Sequence, residues 1–190
     1  MTSSADPTSA DRYTRVAQLL HWGIAVLIVG QIFGGLAMHR LPQDSASASF
    51  AFELHVSFGL TILVLSLVRL FWRLTHKPPA LPPGTARWDR LFARTTQTLF
   101  YILIIGVPLI GWSLISSGAE ASPADIFFVL PVFSLPVPGG EGTASALSEL
   151  HELGAAAILG LLILHVAGAL KHHYADGDDV LARMVPGMKP

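Results

Sequence analysis

The 190-residue chain contains no cysteine. That excludes disulfides, thiolate-bound metals, cysteine-ligated iron–sulfur clusters and covalent cofactor attachment through CxxCH. Charge is scarce too: Asp, Glu, Lys and Arg make up 13% of residues, against about 25% in soluble domains. The net charge of −1 points to no charged macromolecular partner and gives no sign of nucleic-acid binding. The long segment from Ser117 to Ser145, rich in proline and glycine, has no lysine or arginine at all. What the chain has in excess is apolar surface, with 52% hydrophobic residues and a mean hydropathy of +0.55. An ordinary soluble globule is excluded on that balance, and the chain reads as an all-α membrane protein.

Four apolar runs are long enough to span a bilayer as helices. They cover about residues 16–38, 51–74, 89–116 and 147–174. Residues 1–12 form a polar, frayed N-terminal tail, 13–175 the membrane domain and 176–190 a polar tail. The first run ends without a small-residue cleavage site, so it reads as a retained membrane helix and not a signal peptide. Pro42 and the Ser/Ala-rich stretch after it form a short connection. The segment Pro78 to Gly84, with its four prolines, is an extended linker. Pro108 is expected to kink the third helix. The run Ile126 to Leu135 is apolar but too short to span, which suits a segment on the membrane surface or capping the bundle. Basic residues set the topology. With four spans, Arg40 alone falls on one side, leaving 11 of the 12 Lys and Arg residues on the other. Both termini and the middle connection are therefore expected in the cytoplasm of a bacterial cell, with the protein in its inner membrane.

Direction and rise convert histidine positions into depths. His21 lies near the cytoplasmic end of the first helix and His55 near the outer end of the second. His151 and His165 are 14 residues apart on the fourth helix, about 21 Å and nearly four turns. His151 is therefore outer and His165 inner, and both point roughly the same way. Depth pairs His21 with His165 and His55 with His151. Polar side chains inside a membrane are expensive and usually functional, and neutral imidazoles are good axial ligands for haem iron. The pattern suits a four-transmembrane-helix bundle enclosing two non-covalent b-type haems. His39, eighteen residues after His21 on the same helix face, competes with His55 as partner of His151, but it sits at a frayed helix end beside Arg40 and Pro42.

At these residues the chain resembles the bacterial cytochrome b561 family. The matching stretches are RxxQxxHW at Arg15 to Trp22, HxSxG at His55 to Gly59 and LxxVRLxxRL at Leu65 to Leu74. GxPxxG follows at Gly106 to Gly111, ELHE at Glu149 to Glu152 and LHxxxALxHHY at Leu164 to Tyr174. Each motif is weak alone; their order and spacing over four helices are specific. The resemblance implies a four-helix bundle with axial ligands His21, His55, His151 and His165 in the same pairs, and no ligand from the third helix. It also implies electron transfer with quinones, close relatives oxidising superoxide at the outer face and reducing ubiquinone. A superoxide:ubiquinone oxidoreductase is therefore the expected activity. The alternative is a haem b anchor subunit serving a partner dehydrogenase or hydrogenase, docked on the loop from Ser117 to Ser145.

Other residues carry secondary expectations. His173, beside His172 in the HHY motif, is the candidate proton donor at a quinone site, since His titrates near neutral pH. Arg69, one turn inside Arg73, is the candidate partner of a haem propionate, ahead of Arg15, Arg73 and Arg94. Trp22, Trp72, Trp88 and Trp112 fall at helix ends, as an aromatic belt does. Gly34, Gly35, Gly59, Gly111 and Gly154 read as packing glycines. His76 reads as a loop residue. His39 and Arg40 would be the positive groups available to steer an anion at the outer face, opposed by Glu120, Asp125 and Glu141.

Overall fold

A computed structural model describes residues 12–42, 44–82, 84–118 and 124–188. The N-terminal tail to Asp11 and Glu120 lie outside these. Four long helices dominate: α1 (Arg15–Met38), α2 (Ala46–Thr75), α3 (Arg87–Ser117) and α4 (Glu141–Tyr174). All four are long and apolar enough to cross a membrane. Their 24 to 34 residues correspond to about 36–51 Å, more than the roughly 30 Å hydrocarbon core.

Two helices begin earlier than hydropathy indicates. α2 starts at Ala46, inside the Ser/Ala-rich stretch expected to be a connection, because the Ser45 hydroxyl caps it by accepting the Ala48 N–H at 3.2 Å. α4 starts at Glu141, just after Gly140, whose φ of +115° only glycine adopts easily. Thr14 caps α1 by accepting the Ala17 N–H. Lys171, His172 and His173 occupy the last turn of α4, where positive charge complements the helix dipole. α3 runs unbroken through Pro108.

The outward faces are apolar. Leu19, Val26 and Phe33 of α1 are 70%, 68% and 68% exposed, which suits lipid and not water. The core is thin: Ile24, Ile28, Ile62, Ile104, Val107 and Ile158 form its buried cluster. α1 packs on α2, α2 on α3 and α3 on α4, while α4 makes few close approaches to α1 or α2.

One end of the bundle carries α1's start, the α2–α3 link and the C-terminal segment; it is the basic end. At the opposite end the long third connection folds into a small antiparallel hairpin, β1 (Asp125–Ile126) with β2 (Leu130–Pro131), Ile126 opposite Leu130. Its turn places Phe127 and Phe128 at φ of 50° and 61°, a conformation that costs about 1–2 kcal/mol per non-glycine residue. α2 holds it in place. The Ser57 hydroxyl accepts the Phe127 N–H at 2.8 Å, and the two rings meet Phe58 and Phe50. The Trp112 indole N–H donates to the Phe133 carbonyl at 2.9 Å. The apolar run thus caps α2 and α3.

The C-terminal segment forms a short helix, α5 (Val180–Met184), which docks on the basic end, where the sequence alone indicates only a polar tail. The Arg183 guanidinium bridges Asp179 and the Ala80 carbonyl. The Arg183 carbonyl accepts the Gln18 side-chain N–H at 3.0 Å, and the Met184 carbonyl accepts the Trp22 indole at 3.0 Å.

Candidate functional site: two facing histidine pairs

The structure brings together the two pairs derived from depth. His21 of α1 faces His165 of α4 near the basic end, ring centres 6.0 Å apart and planes at 65°. His55 of α2 faces His151 of α4 near the hairpin end, ring centres again 6.0 Å apart and planes at 72°. An imidazole nitrogen lies about 1 Å from its ring centre and binds a metal at about 2 Å, so two rings sharing one metal ion stand about 6 Å apart. His21, His55 and His151 are half-buried, and His165 is more open.

The surroundings fix the ring orientations. The His151 Nδ1–H donates to the Val107 carbonyl at 3.1 Å, which leaves Nε2 with its lone pair free, the tautomer a metal needs. Gly111 makes this approach possible: a Cβ there would lie 3.0 Å from His151 Cε1 and 3.2 Å from Nδ1. His55 Nδ1 is buried with no hydrogen-bond partner among the described residues. The His55 carbonyl accepts the Gln31 side-chain N–H at 2.7 Å. Gly59, one turn along α2, gives Gln31 its room, since a Cβ there would sit 3.3 Å from Gln31 Nε2. At the other pair, Phe100 of α3 meets His165 edge-on at 5.4 Å, and Trp22 meets His21 at 5.3 Å. Four inward imidazoles, one unpartnered and one oriented from behind, fit two flat iron macrocycles held non-covalently.

The competing residues lie elsewhere. His39 is exposed past the end of α1, and the ring opposite His151 is that of His55. His76 caps α2 and stacks on Trp72 at 3.7 Å. α3 supplies no histidine; it contributes Phe100, Tyr101 and the Val107 carbonyl.

The sequence matches the family model for prokaryotic cytochrome b561 over residues 12–187. The chain belongs to the prokaryotic cytochrome b561 family. It is 31% identical over 177 residues to cytochrome b561 homolog 2 of Escherichia coli (strain K12), covering 92% of each chain. It is 32% identical over 182 residues to cytochrome b562 of Cereibacter sphaeroides, covering 94% of this chain and 98% of that one. A probable superoxide oxidase, CybB of Yersinia pestis, is 29% identical over 137 residues, 70% of this chain and 73% of its own. Membership makes this cytochrome b561 a multi-pass membrane electron-transfer protein that binds b-type haem.

The remaining expected site residues gather at the basic end. Arg69 donates to the Ala17 carbonyl at 2.9 Å, one turn before His21, and its charge is within electrostatic reach of His21 and His165. Arg73 donates to Gln97 at 2.7 Å. Arg15 and Arg94 are exposed. His172 is taken up by Asp178 at 2.6 Å and Asp176 at 3.2 Å. His173 meets only the Tyr174 ring, at 4.7 Å, and pairs with no carboxylate among the described residues.

Three supporting groups carry no sequence signal of their own role. Gln31 lies outside every motif, and Val107 fills a variable position of GxPxxG, where its side chain says nothing of its carbonyl. Ser57 lies inside HxSxG, yet its work is on the hairpin. Of the glycines, Gly154 packs against Val107, Gly35 and Gly111 face imidazoles, and nothing lies within 4 Å of a Cβ at Gly34.

Proposed function

We propose that this cytochrome b561 holds two b-type haems, one between His21 and His165 and one between His55 and His151. It carries electrons across the bacterial inner membrane from superoxide at the hairpin face to ubiquinone. The observation that carries this reading is the presence of two facing imidazole pairs, each with ring centres 6.0 Å apart, at depths separated by about 21 Å of α4. Bound there, haem supplies the one-electron chemistry.

The chain's own residues do the rest. The Val107 carbonyl orients His151, and Gln31 steadies the backbone at His55. Arg69 stands where a propionate of the His21–His165 haem would find a guanidinium. The Lys and Arg asymmetry supports cytoplasmic termini and an outer hairpin. At that outer end Arg40 and the exposed His39 attract anions, and the likeness to a probable superoxide oxidase supports superoxide as the donor. Two superoxide anions yield two molecules of dioxygen and two electrons; ubiquinone takes these with two protons to give ubiquinol. His173 is the residue we assign to hand over a proton, because its neighbour His172 is committed to two aspartates.

The test is haem quantitation followed by stopped-flow mixing of the oxidised protein with superoxide. Two haems per chain, α-band growth at a near-diffusional rate and subsequent ubiquinol formation are expected. His173→Gln should slow ubiquinol formation and leave haem reduction unchanged. One haem per chain would overturn the two-site assignment. Haem inert to superoxide, with a dehydrogenase or hydrogenase co-purifying, would overturn the donor and favour an anchor role.

A further inference from the structure

A pocket at the basic end lies between the start of α1, the end of α2 and the face of α3 that carries Tyr101. Arg12, Arg69, Arg73 and Lys77 line it, and no acidic residue does. Among the described residues none of these four forms an ion pair with a carboxylate. The three guanidiniums are half-buried and, among the described residues, held in place by neutral acceptors. Arg12 donates to the Ala182 and Val185 carbonyls at 2.9 and 3.0 Å, Arg69 to Ala17 and Arg73 to Gln97.

This is more than the usual excess of positive charge beside a membrane. Exposed anchors sample solvent, as Arg15 and Arg94 do. Here Arg69 and Arg73 share one helix face four residues apart, where like charges repel, and Arg12 is brought to the same pocket. Partly desolvated charges without counter-charges are costly, so their convergence calls for an anion. The arginine fork suits phosphate. The pocket also has apolar walls, Trp72, Pro78 and Pro79, at the level where the apolar helices end. A ligand with a phosphate and a hydrocarbon body matches both parts, and basic pockets between membrane helices are known to take such headgroups.

We propose that this pocket binds the phosphate of an acidic phospholipid, gripped by Arg12, Arg73 and Lys77. Arg69, on the pocket wall nearest His21, is left to the inner imidazole pair, and the phosphate site does not depend on the donor or acceptor of electrons.

The test uses the haem-loaded protein. Native mass spectrometry in mild detergent counts retained phospholipid, and nanodiscs of phosphatidylcholine with or without phosphatidylglycerol give the affinity. Retained acidic lipid is expected, with binding about fivefold weaker for each cation removed in K77Q and in R12Q/K77Q, and restored in K77R. Lys77 is exposed and makes no hydrogen bond among the described residues, so K77Q does not threaten folding even if the loss of Arg12 loosens α5. Inorganic phosphate added to delipidated protein separates the sources. Thermal stabilisation by phosphate equal to that by phosphatidylglycerol would make the free anion the ligand and overturn the lipid assignment. Unchanged retention in R12Q/K77Q would overturn the site. Altered haem absorbance in K77Q with lipid binding intact would give the pocket to a haem carboxylate, overturning this proposal while leaving the haem reading standing.

Discussion

Replacing Gly111 by alanine perturbs one imidazole pair without removing any imidazole nitrogen. The new methyl would sit 3.0 Å from His151 Cε1 and 3.2 Å from Nδ1, where carbon atoms prefer about 3.5–4.0 Å. The ring must give by a few tenths of an ångström. Its bond to the Val107 carbonyl, now 3.1 Å, then lengthens toward the limit of a useful hydrogen bond. Overpacking costs about 1–3 kcal/mol and the lost hydrogen bond about 0.5–1.5 kcal/mol, while alanine in a helix returns about 0.5–1 kcal/mol relative to glycine. The net is a destabilisation of about 0.5–4 kcal/mol. The larger effect falls on cofactor affinity, since losing a group that orients a ligating histidine typically costs about 10–100-fold. We expect Gly111→Ala to lose or shift one of two low-spin haem signals in electron paramagnetic resonance and redox titration, the other staying put. Gly35→Ala, whose methyl would meet His55 Cε1 at an ordinary 3.7 Å, and Gly34→Ala, which meets nothing, form a graded control. Full haem content and unaltered spectra in Gly111→Ala would refute the argument, as would equal loss of both signals.

Three further outcomes follow from the packing. Gly154→Ala puts a methyl 2.5 Å from Val107 Cγ2 and should destabilise the α3–α4 contact by about 1–3 kcal/mol; the double variant with Val107→Ala should recover most of the thermal midpoint, and no recovery would show the clash lies elsewhere. Ser57→Ala strips the Phe127 N–H of its partner, at about 1–3 kcal/mol, so hydrogen exchange should quicken over residues 124–132 with haem content intact. His55→Ala should lose one haem per chain by pyridine haemochrome and His39→Ala none; the reverse result would transfer the outer site to His39.

The pairing of histidines was legible in the sequence because helix direction and rise turn residue number into depth, and a membrane admits few alternatives. Helix starts were less legible where small residues carry little hydropathy: Ser45 and Gly140 act through a hydroxyl cap and a positive φ, and neither raises an apolar average. The hairpin was hidden for a different reason. A turn through Phe127 and Phe128 has none of the glycine, asparagine or aspartate that left-handed backbone normally selects; its cost is borne by Ser57, some 70 residues away. Docking of α5 was hidden too, because most of its acceptors are backbone carbonyls, at Ala182, Arg183, Met184 and Val185. The same holds for Val107. Its carbonyl orients His151, and a carbonyl is common to every residue.

The way α4 is attached bears on how the protein works. Of its 34 residues, Ile158 alone is buried, and the helix packs mainly on α3, with α5 against its end. Toward α1 and α2 its notable approaches are the two imidazole pairs. Lipid is as apolar as leucine, so releasing α4 from α1 and α2 into the bilayer exposes little that lipid penalises besides the imidazoles themselves. The junction therefore depends on what the histidines share. A ligand held by both members of a pair favours the closed bundle by RT ln(1 + [L]/Kd), and two such ligands act at both ends of one helix. A seam with so little side-chain packing has room for a flat macrocycle without displacing a core. Haem content and bundle stability should consequently fall together in His21→Ala/His55→Ala, measured by haem per chain and by protease cleavage of the α3–α4 connection. A fully protease-resistant haem-free variant would separate the two and refute the coupling.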